Sequence, residues 1–276
     1  MKTTTHIARG FTLVEVIIVM VITGIIGAII AVFIRAPVKN YVDTAGRAEL
    51  TDIADTAVRR MAREMRLAVP NSIQGISPQE IEFVPTKAGG RYLASEDGAP
   101  AADPPLSFTD TASRAFTVVG IMPAGRQAIV PGDNIVVFNE GEAPASVWAA
   151  NGNRAVVESV AGNVVTLVSN PFAAQTPPLP HPQNRFLVTN GPVRYVCVGT
   201  TLLRYERYPF SDAMAVTPST VPAILAGNVK RCEFEYEATA NTRSGVVTIT
   251  LELERTGATG PESVVLVQQV HVDNTP

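Results

Sequence analysis

The sequence predicts an α+β fold in which a long N-terminal helical spine, one half membrane-embedded and the other amphipathic, packs against antiparallel β-sheet. Three observations carry that prediction. Phe11 to Ile34 is an apolar run of membrane length broken by a single charge, Glu15. Residues 38–69 keep apolar side chains at steps of three and four, and from residue 73 onward short alternating segments are punctuated by Pro, Gly and Asn.

The first element is a basic leader, residues 1–10, with Lys2 and Arg9 ahead of the apolar run. About 20 apolar residues cover the hydrocarbon core of a bilayer, so residues 11–35 form a membrane-spanning helix. The positive-inside bias keeps the leader cytoplasmic and sends everything after Arg35 to the far side. A secretory signal would place its small-residue cleavage site after the apolar core. Here the order is inverted: Gly10 precedes the core, so a cut after it removes the leader and leaves the helix in the mature chain. Glu15 inside such a helix costs roughly 2.5 to 3.5 kcal/mol at the bilayer centre and less near the interface, which calls for a partner. The alternative is a single-pass anchor whose Glu15 sits in interfacial water.

The string Arg9-Gly10-Phe11-Thr12-Leu13-Val14-Glu15 resembles the prepilin peptidase site of type IV pilins and type II secretion pseudopilins. The resemblance implies cleavage between Gly10 and Phe11 and methylation of the new amino terminus at Phe11. It also implies an assembly role for Glu15, whose carboxylate would meet the terminal amine of a neighbouring subunit. An amine and a carboxylate cost less together than apart in an apolar bundle, and their pairing sets axial register.

Loss of the leader would leave 20 basic against 25 acidic side chains, a balance without a nucleic-acid footprint. Residues 36–70 form the next element, an amphipathic periplasmic helix with Leu50, Ile53, Ala57, Met61, Met65 and Ala68 in one stripe. Pro37 marks a kink or local break, and Pro70-Asn71-Ser72 ends the pattern. As one helix, Phe11 to Val69 would run on the order of 90 Å. Arg59, Arg60, Arg63 and Arg66, interleaved with Glu64, form either a solvated face that complements the helix dipole or a contact for a partner pilin or anionic lipid.

Residues 73–276 read as a β-rich periplasmic globular domain. Strands are expected at 115–121 and 134–139, with a hairpin over 154–160 and 163–169 turning at Ala161-Gly162. Residues 94–105 and 171–183 are too rich in Pro and Ala to be core and read as loops. A second hairpin spans 193–198 and 201–208. Cys232, Phe234 and Tyr236 alternate with glutamates, Val247 to Leu253 alternate with Thr and Glu, and a last strand covers 263–272. Antiparallel strands draped over the helical stripe give the predicted architecture.

The two cysteines, Cys197 and Cys232, lie in predicted strands of an exported domain, where they can pair as a disulfide; the alternative is two buried thiols. Closing that loop restricts the unfolded chain by roughly 3 to 4 kcal/mol. Nothing points to catalysis or a cofactor. His6, His181 and His271 are scattered, and no nucleophile, metal or phosphate-binding string occurs. Asp133, Glu140 and Glu142 lack the spacing of a calcium loop. Trp148, the lone tryptophan, is the one candidate for stacking on a sugar, though an isolated tryptophan is more often a core or loop anchor.

The size of the exported part and the segment Glu49 to Val69 resemble the large minor pseudopilins. The strings 184–208, 232–236 and 269–276 are similar to those of minor pilins from mannose-sensitive haemagglutinin pili. This resemblance implies a minor pilin of a tip complex that primes pilus assembly, with no reaction of its own. Its partners would be the prepilin peptidase, other minor pilins, the major pilin and the inner membrane. The chain would start as a single-pass inner-membrane protein with a periplasmic C-terminal domain, and finish at the pilus tip. A minor pseudopilin of type II secretion, or a tip adhesin for a surface glycan, are the alternatives.

Overall fold

The computed structural model describes residues 10–95, 103–150, 152–213, 218–237, 243–257 and 260–276. Leader residues Lys2, His6 and Arg9 and part of the 94–105 loop lie outside them.

One helix, α1, runs continuously over Leu13–Met65 with Pro37 inside it. Proline has no N–H to donate, so one rung of the ladder is missing there, yet the helix does not break. It also stops earlier than the apolar pattern suggests. Val69 N–H donates to Val84 O at 2.7 Å, Thr86 N–H donates to Leu67 O at 2.7 Å, and Ala68 bridges Pro85. Backbone pairing with the chain beyond the first hairpin therefore takes residues 67–69 out of the helix.

Fourteen strands follow: β1 Gln74–Ser77, β2 Glu80–Phe83, β3 Ala88–Tyr92, β4 Ala115–Val119, β5 Asn134–Val136, β6 Arg154–Ala161 and β7 Val164–Leu167. The rest are β8 Arg185–Thr189, β9 Val193–Val198, β10 Thr201–Glu206, β11 Ala223–Ala226, β12 Val229–Glu237, β13 Ser244–Thr256 and β14 Pro261–Asp273. They form a five-stranded sheet in the order β1-β2-β9-β10-β11, a three-stranded sheet β12-β13-β14, and a closed barrel β3-β4-β7-β6-β5-β8. The predicted α+β class holds: a long helix with antiparallel sheets.

Two compact units divide the chain, Met1–Glu49 with Arg255–Glu262, and Leu50–Glu254 with Ser263–Pro276. Within the second unit, the stripe Leu50, Ala54, Ala57, Val58, Met61 and Met65 is buried in one core. That core takes Ile81 and Phe83 from β2, Tyr195 from β9, Leu202 from β10, Phe234 from β12, and Val247, Ile249, Leu251 and Leu253 from β13. The alternating apolar positions of β13 all face this core, as period-two burial requires.

A second core fills the barrel. Phe116 and Phe186 meet edge-on at 5.4 Å, and Ala88, Ile135, Val157, Val165 and Val188 surround them. In β3 a Cβ on Gly90 would lie 2.7 Å from the Phe186 ring, so the ring occupies the space that a side chain would need. The segment 171–183 corrects the prediction that it holds no core residue, because Phe172 is 1% exposed in this cluster. Pro171 begins a short 3₁₀ turn, Pro171–Ala174, that carries the ring inward.

Helix and sheet are also joined through Glu64. Its carboxylate accepts from Tyr195 Oη at 2.6 Å, Arg204 Nε at 2.9 Å and Arg60 Nε at 3.1 Å. Burial, followed by the Glu64 charge, pushes the Tyr195 hydroxyl above its usual pKa, so it stays a donor. A second buried group ties β2 to β9. Arg194, 1% exposed, donates to Glu82 at 2.9 and 3.2 Å and to Glu80 at 2.9 Å, and Tyr208 Oη also donates to Glu82. Removing one partner of such a cluster leaves a buried group unsatisfied, at about 3 to 5 kcal/mol. Glu64→Ala should therefore lower unfolding free energy by about 3 kcal/mol, and Arg59→Ala, at an exposed pair, by much less. Urea denaturation of the two variants followed by circular dichroism gives the comparison, and equal losses would refute the ranking.

Candidate functional site

The N-terminal end of α1 is built by a local sequence device. Thr12 stands just ahead of the helix, its carbonyl accepts from Val16 N–H at 3.2 Å, and its Oγ1 accepts from Glu15 N–H at 3.3 Å. Thr-x-x-Glu is a capping-box spacing, a signal visible in the sequence that the periodicity reading passed over. The cap fixes Glu15 in the first helical turn, where a carboxylate complements the positive end of the helix dipole. Among the described residues that carboxylate has no partner in its own chain.

Phe11 is 80% exposed, and every residue from Gly10 to Ile34 is exposed. This part of the helix satisfies its polar groups internally: Thr23 Oγ1 donates to Val19 O at 2.7 Å. Helical closure of all backbone bonds is what a hydrocarbon environment demands. A Cβ added to Gly10, Gly24 or Gly27 would meet nothing within 4 Å. Glycine inside a helix costs roughly 0.5 to 1 kcal/mol relative to alanine, so no packing inside the chain accounts for Gly24 and Gly27.

Where the apolar half gives way to the folded part, the first unit contains a clasp. The end of β13 brings Arg255 onto the helix: its Nη2 donates to Val42 O at 3.2 Å and its Nη1 lies 3.3 Å from Glu49. Gly46 is buried beneath the guanidinium, which sits where a Cβ would be, 1.4 Å from it. Arg47 and Glu262 close the other side at 3.6 Å.

The remaining residues singled out from sequence fall as follows. Cys197 and Cys232 form a disulfide with S–S 2.00 Å, linking β9 to β12 across 35 positions. The arginine cluster divides: Arg59 pairs with Asp55 at 2.6 Å and Arg60 with Glu64, while Arg63 and Arg66 are exposed. Trp148 is committed within its own chain. Its Nε1 donates to Ser72 O at 3.0 Å and its ring tilts against Phe210 at 5.9 Å, so it anchors a loop. Asp133 is buried and taken by Lys87 at 2.7 Å and by Val130 N–H at 2.9 Å; Glu140 and Glu142 are exposed.

His181 Nδ1 accepts from Gln183 N–H at 2.9 Å, and its ring meets Phe138 edge-on. Burial, with Arg185 adding to it, lowers its pKa against a backbone bond to Pro276. His271 is exposed on β14. These residues do not converge. The described residues gather no general base beside a nucleophile, so the site that the structure presents is the uncovered, capped end of α1.

Residues 6–31 match the family model described as the prokaryotic N-terminal methylation motif. No curated protein and no solved structure matches the chain. The motif supports a protein of the pilin or pseudopilin kind, structural in character, and implies processing by a prepilin peptidase and association with pilins and the membrane. Together with the apolar helix it fits a single-pass inner-membrane anchor.

The clasp generates an expectation of its own. Gly46→Ala evicts the Arg255 guanidinium while raising helix propensity by about 1 kcal/mol, so overall stability should change by less than about 1 kcal/mol. Amide exchange over 255–262 should accelerate by mass spectrometry. Unchanged exchange there would show that Arg255 does not hold the hairpin to the helix.

Proposed function

We propose that the chain is a minor pilin. Prepilin peptidase cuts between Gly10 and Phe11, Phe11 is methylated at its new amino group, and the mature chain enters a tip complex that primes type IV pilus assembly. In this reading residues 1–10 are the cytoplasmic leader, 11–35 the membrane and assembly helix, 36–70 its periplasmic continuation, and 73–276 the periplasmic domain. The strings Asn184 to Tyr208, Cys232 to Tyr236 and Gln269 to Pro276 resemble MshO, a biogenesis protein of mannose-sensitive haemagglutinin pili, and favour a pilus over a secretion system as the client.

The observation that carries the reading is Glu15: a charge in the first turn of a capped helix whose apolar half is exposed, without a partner among the described residues. The nearest missing partner is cationic and comes from outside. The amino group of a neighbour's Phe11 supplies that charge at the right depth, and the pair would set the axial register between stacked helices. Gly24 and Gly27 act in the same sense, because glycine lets helix backbones approach closely where hydrophobic association is weak. Function then lies in docking: the helix anchors the subunit in the membrane and afterwards becomes part of a filament core. An adhesin reading is weakened, since its one stacking candidate, Trp148, is tied to Ser72 and Phe210 within its own chain.

Mass spectrometry of the mature protein should find a chain that starts at methylated Phe11; one that starts at Met1 would overturn the proposal. Glu15→Ala should insert into the membrane normally and fail to join other pilins, read by co-purification of minor pilins from detergent extracts. Full incorporation of that variant would remove Glu15 from the assembly mechanism.

A further inference from the structure

The sheets differ sharply in how their free edges are treated. The barrel has none, and the five-stranded sheet ends on β1 and β11, each four residues long. The three-stranded sheet ends on β12, nine residues that carry Lys230, Arg231 and three glutamates, and on β14, thirteen residues long and paired on one side by β13. Its stretch Ser263-Val264-Val265-Leu266-Val267-Gln268-Gln269-Val270 has no charge, no proline and no glycine. Such an edge displays a row of unpaired backbone groups, and folded proteins ordinarily blunt it with lysine, proline or a bulge. Val265 and Val267 are 46% and 63% exposed, while Leu266, on the opposite face, is only half-buried.

Beside the same stretch lies a cleft of about 420 Å³ between α1 and residues 266–268. Val58 and Ala62 line its apolar part, and Arg63 and Arg66 stand on its rim. Asp55 also lines it, but Arg59 neutralises that carboxylate at 2.6 Å. Arg63 and Arg66 have no carboxylate at ion-pair distance among the described residues, so the cleft carries two uncompensated positive charges. The edge and the cleft are continuous, which means that a strand added to β14 would place alternate side chains over the cleft.

We infer that β14 is a docking edge for an extended strand from another pilin subunit, one that carries acidic side chains toward Arg63 and Arg66. Backbone hydrogen bonds to β14 supply affinity and are indifferent to sequence; the two guanidinium groups supply the selection, because a bidentate carboxylate matches their geometry. The added strand would bury Leu266 further. This surface belongs to the folded part and is separate from Glu15, so it gives the subunit a second, directional contact. It rests on the minor-pilin reading only for the identity of the partner.

The test is site-specific photo-crosslinking in cells that assemble the complex, using the full chain with the photoreactive residue at Val267, at Ile121 on an exposed loop, or at Val19 in the assembly helix. The expected result is a Val267 crosslink to an acidic extended segment of a different pilin, identified by peptide mass spectrometry, with none from Ile121. Arg63→Glu combined with Arg66→Glu should cut that crosslink about tenfold, as expected for reversing charges at a desolvated contact, and should leave the melting temperature and the Val19 crosslink unchanged. A Val19 crosslink to pilins without one from Val267 would overturn the docking edge and leave the assembly helix standing. A Val267 crosslink to a second copy of this chain, to the membrane, or to a pilin segment without acidic residues would overturn it as well. Failure at both positions would overturn both readings.

Discussion

A single helix has to satisfy two solvents, and the rest of the molecule is arranged around that constraint. From Leu13 to Ile34 α1 is exposed on every side, so each polar group in it must be closed within the helix. From Leu50 to Met65 the same helix presents one stripe, and both sheets bury it. The transition falls at the clasp, where Arg255 covers Gly46 and caps Val42 O. The stripe lies in one core with both sheets, and β13 alone sends four fully buried side chains into it.

Three carboxylates, two on the helix and one on β2, show how charge is graded with burial. Glu82, deepest, is saturated by Arg194, Tyr208 and Gln74. Glu64, half-buried, locks the helix to β9 and β10 through Tyr195 and Arg204. Glu15 has only its place at the helix N-terminus. The first two fix the fold, since a buried ion left without its partner is destabilising. The third is available for contact between molecules because nothing among the described residues has claimed it. Edges follow the same logic: closed in the barrel, short in the five-stranded sheet, and in the three-stranded sheet longest at β14, beside Arg63 and Arg66.

Much of this was legible before any coordinates. The helical stripe, the hairpins at 154–167 and 193–206, and the alternation of β12, β13 and β14 all follow from periodicity, because burial on one face imposes a period on the chain. The barrel was not legible as a barrel. Its closure pairs β3 with β8, short strands separated by most of the barrel sequence, and β3 contains Gly89-Gly90, which reads as a turn until Phe186 is seen lying over it. Phe172 was hidden by the prolines around it. The early end of α1 was hidden too, since Ala68 and Val69 continue the apolar pattern while their backbones are claimed by Pro85 and Val84.

The sequence by itself determined the chemistry at the N-terminus, where Gly10, Phe11, Thr12 and Glu15 are adjacent along the chain and a helix converts their spacing directly into position. It also determined which faces would be buried, for the same local reason. Only the tertiary structure decided which partners meet. Tyr195 and Arg204 reach Glu64, Glu82 reaches Arg194, Cys197 reaches Cys232, and Arg255 returns to Gly46, each across a long stretch of chain. Such pairings depend on sheet order and register, which are settled by the burial of whole faces together and leave no local trace in the residues that they join.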